Sequence, residues 1–310
     1  MSTVKRVVLR EIPGQPATTL SVSRLVLGFW RLDNWGYSAD DLAGLLAQCV
    51  EMGITTFDHA DIYGDYRCES LFGDAIKRMP QLKQQCEIVT KCNIKLISEQ
   101  RAEHRLKSYD TSAEHIIASA HRSLSNLNVE RLDLLLLHRP DPLMEPAEVA
   151  EAFSVLHRAG DVAHFGVSNH SPAQFEMLSY YVEQPLVTNQ VECSVLHHQA
   201  LTDGSFDHAL MHHYKPMIWS PFGGGALFQD DAPTVQRVRT AMARVSQHLA
   251  GCSVDQLALA WLLRHPAQLV PVLGSGRLPR IQAAVAAQSL CLSREDWFEI
   301  YEAARGREVD

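Results

Sequence analysis

No strand–GxGxxG–helix segment occurs in the 310 residues. A dinucleotide, if one is bound, is therefore not held by a Rossmann unit. No CxxC pair occurs either, and the seven cysteines (Cys49, Cys68, Cys86, Cys92, Cys193, Cys252, Cys291) are odd in number and scattered. They argue against a disulfide framework and read as reduced thiols of a cytosolic protein. The longest apolar runs, such as LDLLLL, fall far short of the ~20 residues that span a bilayer. The start, MSTVKRVVLR, has no apolar core followed by a small-residue cleavage site, so no secretory signal is expected and the chain is placed in the cytoplasm. Positive charge is also in short supply: 28 Lys and Arg against 36 Asp and Glu give a net charge of −8. With no basic stripe, general nucleic-acid or membrane-surface binding is not expected. An anionic ligand must then be held by a local cluster.

What is present is a regular alternation. Short β-branched or Leu-rich runs fall at 23–30, 55–60, 86–92, 131–138, 163–169, 186–192, 215–221 and 269–275. Amphipathic segments separate them, such as DDLAGLLAQCVEMG with Leu42, Leu45, Leu46 and Val50 near helical spacing. Gly53 follows as a C-terminal stop, Thr111-Ser112-Ala113-Glu114 reads as a helix cap, and Ser171-Pro172 places Pro at a first helical position. Alternating strands and helices imply a parallel sheet, and eight units imply closure, so the expected fold is an α/β (β/α)8 TIM barrel. Such a barrel takes roughly 250 residues. With no repeat, linker or low-complexity segment, residues 1–310 are expected to form one domain. VKRVVLR and ATTLSVS flank Pro13-Gly14 and read as an N-terminal β-hairpin.

Four residues stand at or just past strand ends: Asp58 and Tyr63 in TTFDHADIYG, Lys91 in CEIVTKC, and His138 closing RLDLLLLH. Taken singly, each has a plainer explanation: a Tyr-Gly turn, a solvated rim lysine, a buried strand with a hydrogen-bonded histidine. Taken together, on three successive strands of a barrel, they meet at one mouth. There a lysine cation can stabilise a phenolate, a carboxylate can hold the lysine, and an imidazole can orient a carbonyl. Tyrosine ordinarily titrates near ~10, and the ammonium of Lys91 is expected to lower that value toward the working range. This is a proton-delivery device without nucleophile or metal. It suits carbonyl reduction, and since no member can give a hydride, a reduced cofactor must.

FDHADIYG, VTKC, LLLLHRPD, GVSN, WSPFGGG and PVLGSGRLPRI follow one another in an order that resembles the aldo-keto reductases, over roughly residues 20–290. The resemblance implies a barrel plugged at its bottom by the N-terminal hairpin, and Asp58, Tyr63, Lys91 and His138 as catalytic residues. It also implies a nicotinamide dinucleotide extended across the mouth. Ser168, Asn169 and Gln190 then match positions that bond the carboxamide, and Trp219 the aromatic that stacks on the nicotinamide ring. Ser220, Phe222 and Gly224 belong to a glycine-rich loop whose backbone can approach phosphate. Gly274, Ser275, Arg277 and Arg280 open a helix after the last strand, a natural anion site. Ser275 and Arg280 match contacts to a 2′-phosphate, so NADPH is expected over NADH. The chain departs from the family where Gly274 replaces a usual lysine and Ala283-Ala284 replace a Glu-Asn pair that contacts adenine; Arg277 is a candidate compensation. Trp30, Tyr63 and His138 are expected to line the substrate pocket, and the resemblance implies a monomer acting on a small carbonyl or alcohol.

His197-His198 and His208, His212 and His213 form a cluster, but no HExxH glutamate lies among them. They read as surface histidines, and no metal is expected. The mixed-charge stretch 95–110 reads as a solvated loop face, and Arg139-Pro140-Asp141 as a helix-initiating loop. Loops at 30–37, 93–110 and 222–233 and the tail after 289 are the places for substrate selection. Two functions compete: an NADPH-dependent reductase of aldehydes or ketones, reversible as an alcohol dehydrogenase, and a non-catalytic dinucleotide-binding regulatory subunit on the same barrel. A metal hydrolase built on the histidines is a third, weakened by the missing glutamate.

Overall fold

The computed structural model describes residues 3–11, 20–249 and 251–310. It opens with two antiparallel strands, β1 (Arg6–Val8) and β2 (Ser21–Ser23), in which Val7 faces Val22. The Pro13-Gly14 turn expected between them lies outside the described residues. Then come β3 (Val26–Gly28), β4 (Thr56–Asp58) and β5 (Glu87–Cys92), followed by a short antiparallel excursion of β6 (Ile94–Lys95) with β7 (Ser108–Tyr109). The chain continues through β8 (Leu132–Leu137), β9 (Val162–Ser168), β10 (Leu186–Glu192), β11 (Met217–Trp219) and β12 (Val270–Leu273). β3, β4, β5, β8, β9, β10, β11 and β12 are parallel neighbours in that order, and β12 pairs back onto β3 to close the barrel. All eight expected strands are present. Most of their ladders are shorter than the apolar runs, such as 26–28 within 23–30 and 217–219 within 215–221, whereas β10 fills its run of 186–192.

The two-residue period of a strand sorts side chains between the barrel interior and the helices outside. Along β5, Val89 joins an interior cluster with Val26, Leu134, Leu136 and Val187, whereas Ile88 packs outward with Phe57, Leu135 and Phe165. Phe165 stacks on Phe153 of the helix Pro146–Ala159, ring centroids 4.1 Å apart. The hairpin residues Val7, Leu9, Leu20 and Val22 belong to the interior cluster. Leu9 O accepts from Lys215 N at 2.6 Å and Arg10 Nη1 donates to Leu186 O at 2.7 Å. Both bonds lie at the N-terminal ends of β10 and β11, so the hairpin closes the bottom of the barrel.

Helix starts follow the expected signals. Ser112 accepts from His115 N to begin Ala113–Leu127, and Ser171 with Gln174 forms a reciprocal cap on Pro172–Tyr181. Gly53 lies at φ +82° just beyond the end of Ala39–Glu51. Among the described residues, no helix is long and apolar enough to cross a membrane.

Candidate active site

Because the barrel strands are parallel, their C-terminal ends share one mouth. Asp58 ends β4, Lys91 is the penultimate residue of β5, His138 follows β8, and Tyr63 begins the short turn after β4. Lys91 is buried, and its Nζ lies 2.6 Å from Asp58 Oδ2, donates to His59 O at 2.8 Å, and reaches Tyr63 Oη at 3.2 Å. The His138 ring stands nearly perpendicular to that of Tyr63, centroids 5.8 Å apart. The four residues picked from sequence are thus brought together. After Tyr63 the backbone runs through Gly64, Asp65 and Tyr66 at φ +57°, +55° and +65°. Positive φ at a non-glycine residue costs on the order of 1–3 kcal/mol, so strain is concentrated beside the phenol. Tyr66 is held there by accepting from Leu96 N at 2.9 Å.

The charges have definite directions. Burial alone would lower the Lys91 ammonium, but Asp58 and Tyr63 outweigh it and raise it, so it keeps its proton. Burial raises the Tyr63 phenol, and the opposing pull of Lys91 does not cancel this. The net direction is upward, which corrects the expectation of a lowered value: desolvation of the phenolate, with the Asp58 charge beside it, outweighs the attraction of Lys91 and Arg139. His138 is driven well below the usual imidazole range by burial first, then by Lys91, Arg139 and Lys107, and is neutral. Its Nδ1 is buried without a hydrogen-bond partner.

A second row of polar residues leads away from Asp58. Gln190 Nε2 donates to Asp58 Oδ1 at 2.8 Å, and Ser168 Oγ donates to Gln190 O at 2.7 Å. Asn169 Nδ2 donates to Ser168 Oγ at 2.8 Å, while its Oδ1 accepts from Trp219 Nε1 at 2.9 Å. The residues matched to carboxamide and ring contacts therefore form one hydrogen-bonded chain ending on the carboxylate.

All of them border a cleft of about 710 Å³ that runs from Trp30, Tyr63 and His138 past Ser220, Phe222 and Gly224 to Gly274, Ser275 and Arg280. Its shape and donors fit an extended dinucleotide. Gly224 and Gly225 lie at φ +66° and +104°, and at both, as at Gly274, a Cβ would meet no atom within 4 Å. These backbones face open space at the cleft wall. At the far end Arg280 and Ser275 supply a guanidinium and a hydroxyl, and Ile281 and Ala284 an apolar wall. Arg277 does not border the cleft; it precedes the helix Leu278–Ala287, its N–H directed to Ser275 Oγ at 3.3 Å. Gly28, opposite Asp58 in the β3–β4 register, borders the cleft where there is no room for a side chain: a Cβ there would meet Val272 Cγ1 at 2.7 Å.

Several cleft residues escaped the sequence. Lys107 and Tyr109 border it, so the stretch 95–110 is not merely a solvated face. Arg139 borders it too, its guanidinium 5.6 Å from the centre of the Trp219 ring, and is more than part of a helix-initiating loop. Arg31 donates to Gly224 O at 3.0 Å across the mouth. Asn93, at φ +90°, accepts from the N–H groups of His138 and Arg139 and fixes both. The one local signal for Arg139 is its position directly after His138. His208 is buried, contrary to its expected place on the surface, with Nδ1 2.9 Å from Tyr214 Oη and Nε2 2.7 Å from Glu176.

Comparison with known proteins gives the family of the chain. The model of the aldo/keto reductase family matches residues 24–305. Oxidoreductase YdhF of Escherichia coli is 47% identical over 287 residues, covering 93% of this chain and 95% of that protein. A 6-dehydroglucose reductase of Agrobacterium fabrum is 40% identical over 291 residues, 94% of this chain and 97% of that protein. The crystal structure of a thermostable aldo-keto reductase with the inhibitor epalrestat is similar in fold, with a TM-score of 0.76 at 23% identity over 95% of this chain and 99% of that one. With a family match over nearly its whole length and relatives of this identity, the chain belongs to the aldo/keto reductase family.

Proposed function

We propose that this protein reduces an aldehyde or ketone to an alcohol with NADPH, and that Tyr63 is the general acid. The buried contact of Lys91 with both Asp58 and Tyr63 carries this assignment. When bound, the nicotinamide dinucleotide supplies the hydride that no side chain can provide. Tyr63, its pKa raised, holds its proton through the neutral range and hydrogen-bonds the carbonyl oxygen. As negative charge develops on that oxygen the phenol releases the proton, and the fixed Lys91 ammonium stabilises the phenolate left behind. Asp58 holds the ammonium in place and balances its charge. Neutral His138 donates a second hydrogen bond to the same oxygen and sets which carbonyl face is presented. In the alcohol-oxidising direction the phenolate takes the proton back.

Ser275 and Arg280 favour NADPH by offering a charge-assisted site to the 2′-phosphate. Ser168, Asn169, Gln190 and Trp219 would hold the nicotinamide end, and the backbone around Ser220, Phe222 and Gly224 would hold the pyrophosphate. Trp30, Tyr63 and His138 wall the substrate, and Arg31, Lys107, Tyr109 and Arg139 make its surroundings polar. Because a 40%-identical relative is a 6-dehydroglucose reductase, a hydroxylated, sugar-type aldehyde is the first substrate to test. The unit would be a monomer in the cytoplasm, one barrel domain over residues 1–310. A screen of aldehydes and ketones with NADPH and NADH, followed by nicotinamide absorbance over many turnovers, tests the assignment. Tight NADPH binding without turnover of any carbonyl would instead favour the non-catalytic subunit.

A further inference from the structure

The histidine cluster set aside in the sequence has a geometry that the reductase site does not use. His208 lies in the helix Ser205–Met211, and His212, four residues on, is its C-terminal cap. Across from them Glu176 projects from Pro172–Tyr181. Glu176 Oε1 lies 2.7 Å from His208 Nε2 and 3.0 Å from His212 Nε2. One ligand atom from each of the three residues falls within 4.8 Å of the others.

We propose that Glu176, His208 and His212 bind one divalent transition-metal ion of the zinc type. Two imidazoles at i and i+4 on one helix face, with a carboxylate opposite, are a donor set suited to such an ion, water taking the fourth position. The hydrogen bonding points the same way. His208 Nδ1 is engaged by Tyr214 Oη at 2.9 Å. In the metal-free protein Nε2–H donates to Glu176; with the proton moved to Nδ1 and donated to the Tyr214 oxygen, the lone pair of Nε2 is released for a cation set between it and Glu176. The pairing of ligand imidazole with an outer hydrogen-bond partner is the usual way such a ring is oriented. His212 Nε2 is buried and, although close to Glu176 Oε1, has no hydrogen-bond partner of acceptable geometry. A hydrogen-bonded triad satisfies only one of the two nitrogens. A cation among the three atoms satisfies all of them.

The fit needs the ligand atoms, now within 4.8 Å of one another, to even out their spacing. Metal–nitrogen bonds of roughly 2.0–2.1 Å in a tetrahedron place ligand atoms about 3.3 Å apart. Glu176 must draw back by about half an ångström from its present contact, and its side chain, 51% exposed, is free to do so. Arg10 is the positive group facing Glu176, and its guanidinium is committed to Leu186 O. The residues around the site tie it to the plug: Arg10 bridges Tyr214, and Glu11 N donates to His213 O. A metal here would clamp two outer helices to each other beside the hairpin at the bottom of the barrel, at the end opposite the mouth. Its role is structural.

The test uses the untagged full-length chain, stripped with EDTA and titrated with Co²⁺ and then Zn²⁺. The parent should bind one Co²⁺ per chain with the visible absorption of a tetrahedral ion, lose it to Zn²⁺, and melt at a higher temperature with Zn²⁺ than without. His212→Gln and Glu176→Gln should each abolish the absorption while keeping the far-ultraviolet circular dichroism and the NADPH affinity of the parent. Tyr214→Phe should weaken metal affinity by about 10- to 100-fold through loss of the outer partner. If the parent takes up no Co²⁺, or if both Gln variants bind it as the parent does, the three residues are a hydrogen-bonded triad only and the proposal is overturned. Should His212→Gln fail to fold, Glu176→Gln alone decides, because its side chain is on the surface.

Discussion

Gln190 donates from Nε2 to Oδ1 of Asp58 over 2.8 Å, across 132 positions of sequence. Both side chains are buried. The residue matched to a cofactor contact thus also holds the carboxylate that holds Lys91. Gln190→Ala should leave one Asp58 oxygen short of a donor, costing about 1–3 kcal/mol of stability. It should also lower turnover, because Asp58 is then free to turn from Lys91. Chemical denaturation and steady-state kinetics on the same preparation check this; native stability with native turnover would make the contact incidental.

Tyr63→Phe should reduce turnover by about 10²–10⁴-fold, the usual contribution of general acid catalysis. NADPH binding should stay close to native, since the phenol is expected to contribute little to holding the cofactor. Fluorescence titration of NADPH beside single-turnover rates separates the two. A folded, cofactor-bound mutant that keeps most of its kcat would sink the assignment of the acid.

Lys91→Met removes the cation but leaves Asp58 buried and unpaired. Breaking a buried pair in this way costs about 3–5 kcal/mol, so the single mutant should lose both stability and activity. The double mutant Asp58→Asn/Lys91→Met should recover much of the stability and none of the turnover. If the double mutant regains turnover as well, the pair is structural and Lys91 has no part in proton transfer.

The pH dependence follows from two shifts of opposite sign. His138 is neutral down to well below the usual histidine range, so kcat/KM for reduction should show no step near the ordinary histidine value of about 6.5. Tyr63 keeps its proton above the ordinary phenol value of about 10. Reduction should therefore hold on the alkaline side until beyond that point, whereas alcohol oxidation, which needs the phenolate, should rise with pH without reaching a plateau below it. Lys91→Met takes away the stronger of the two cations pulling the phenol down, leaving Arg139, and should move the alkaline limb higher still. Profiles of kcat/KM in both directions test the signs; an alkaline limb near neutrality would contradict them.

Arg280→Ala should weaken NADPH binding by about tenfold to a hundredfold, the equivalent of one charge-assisted hydrogen bond of roughly 1.5–3 kcal/mol. NADH has no 2′-phosphate and should bind the mutant as it binds the parent. Arg277→Ala, outside the cleft, should change neither. Equal losses for NADH and NADPH in Arg280→Ala, or a parent that already prefers NADH, would show that the phosphate lies elsewhere.

The barrel and the four residues at its mouth were legible along the chain. Both follow from local signals: two-residue alternation sends Val89 inward and Ile88 outward, caps such as Ser112 and Ser171 start helices, and a polar residue at a strand end has only one mouth to face. The wiring of those residues depends on contacts made across the folded barrel. The Asp58–Gln190 bond joins strands on opposite sides of the barrel, and Lys107 and Arg139 reach the cleft from loops whose paths have no sequence period. The direction of the Tyr63 shift and the burial of His208 were likewise invisible. Desolvation is a collective property of everything packed around a group, and a one-dimensional pattern records the neighbours along the chain but not those across it.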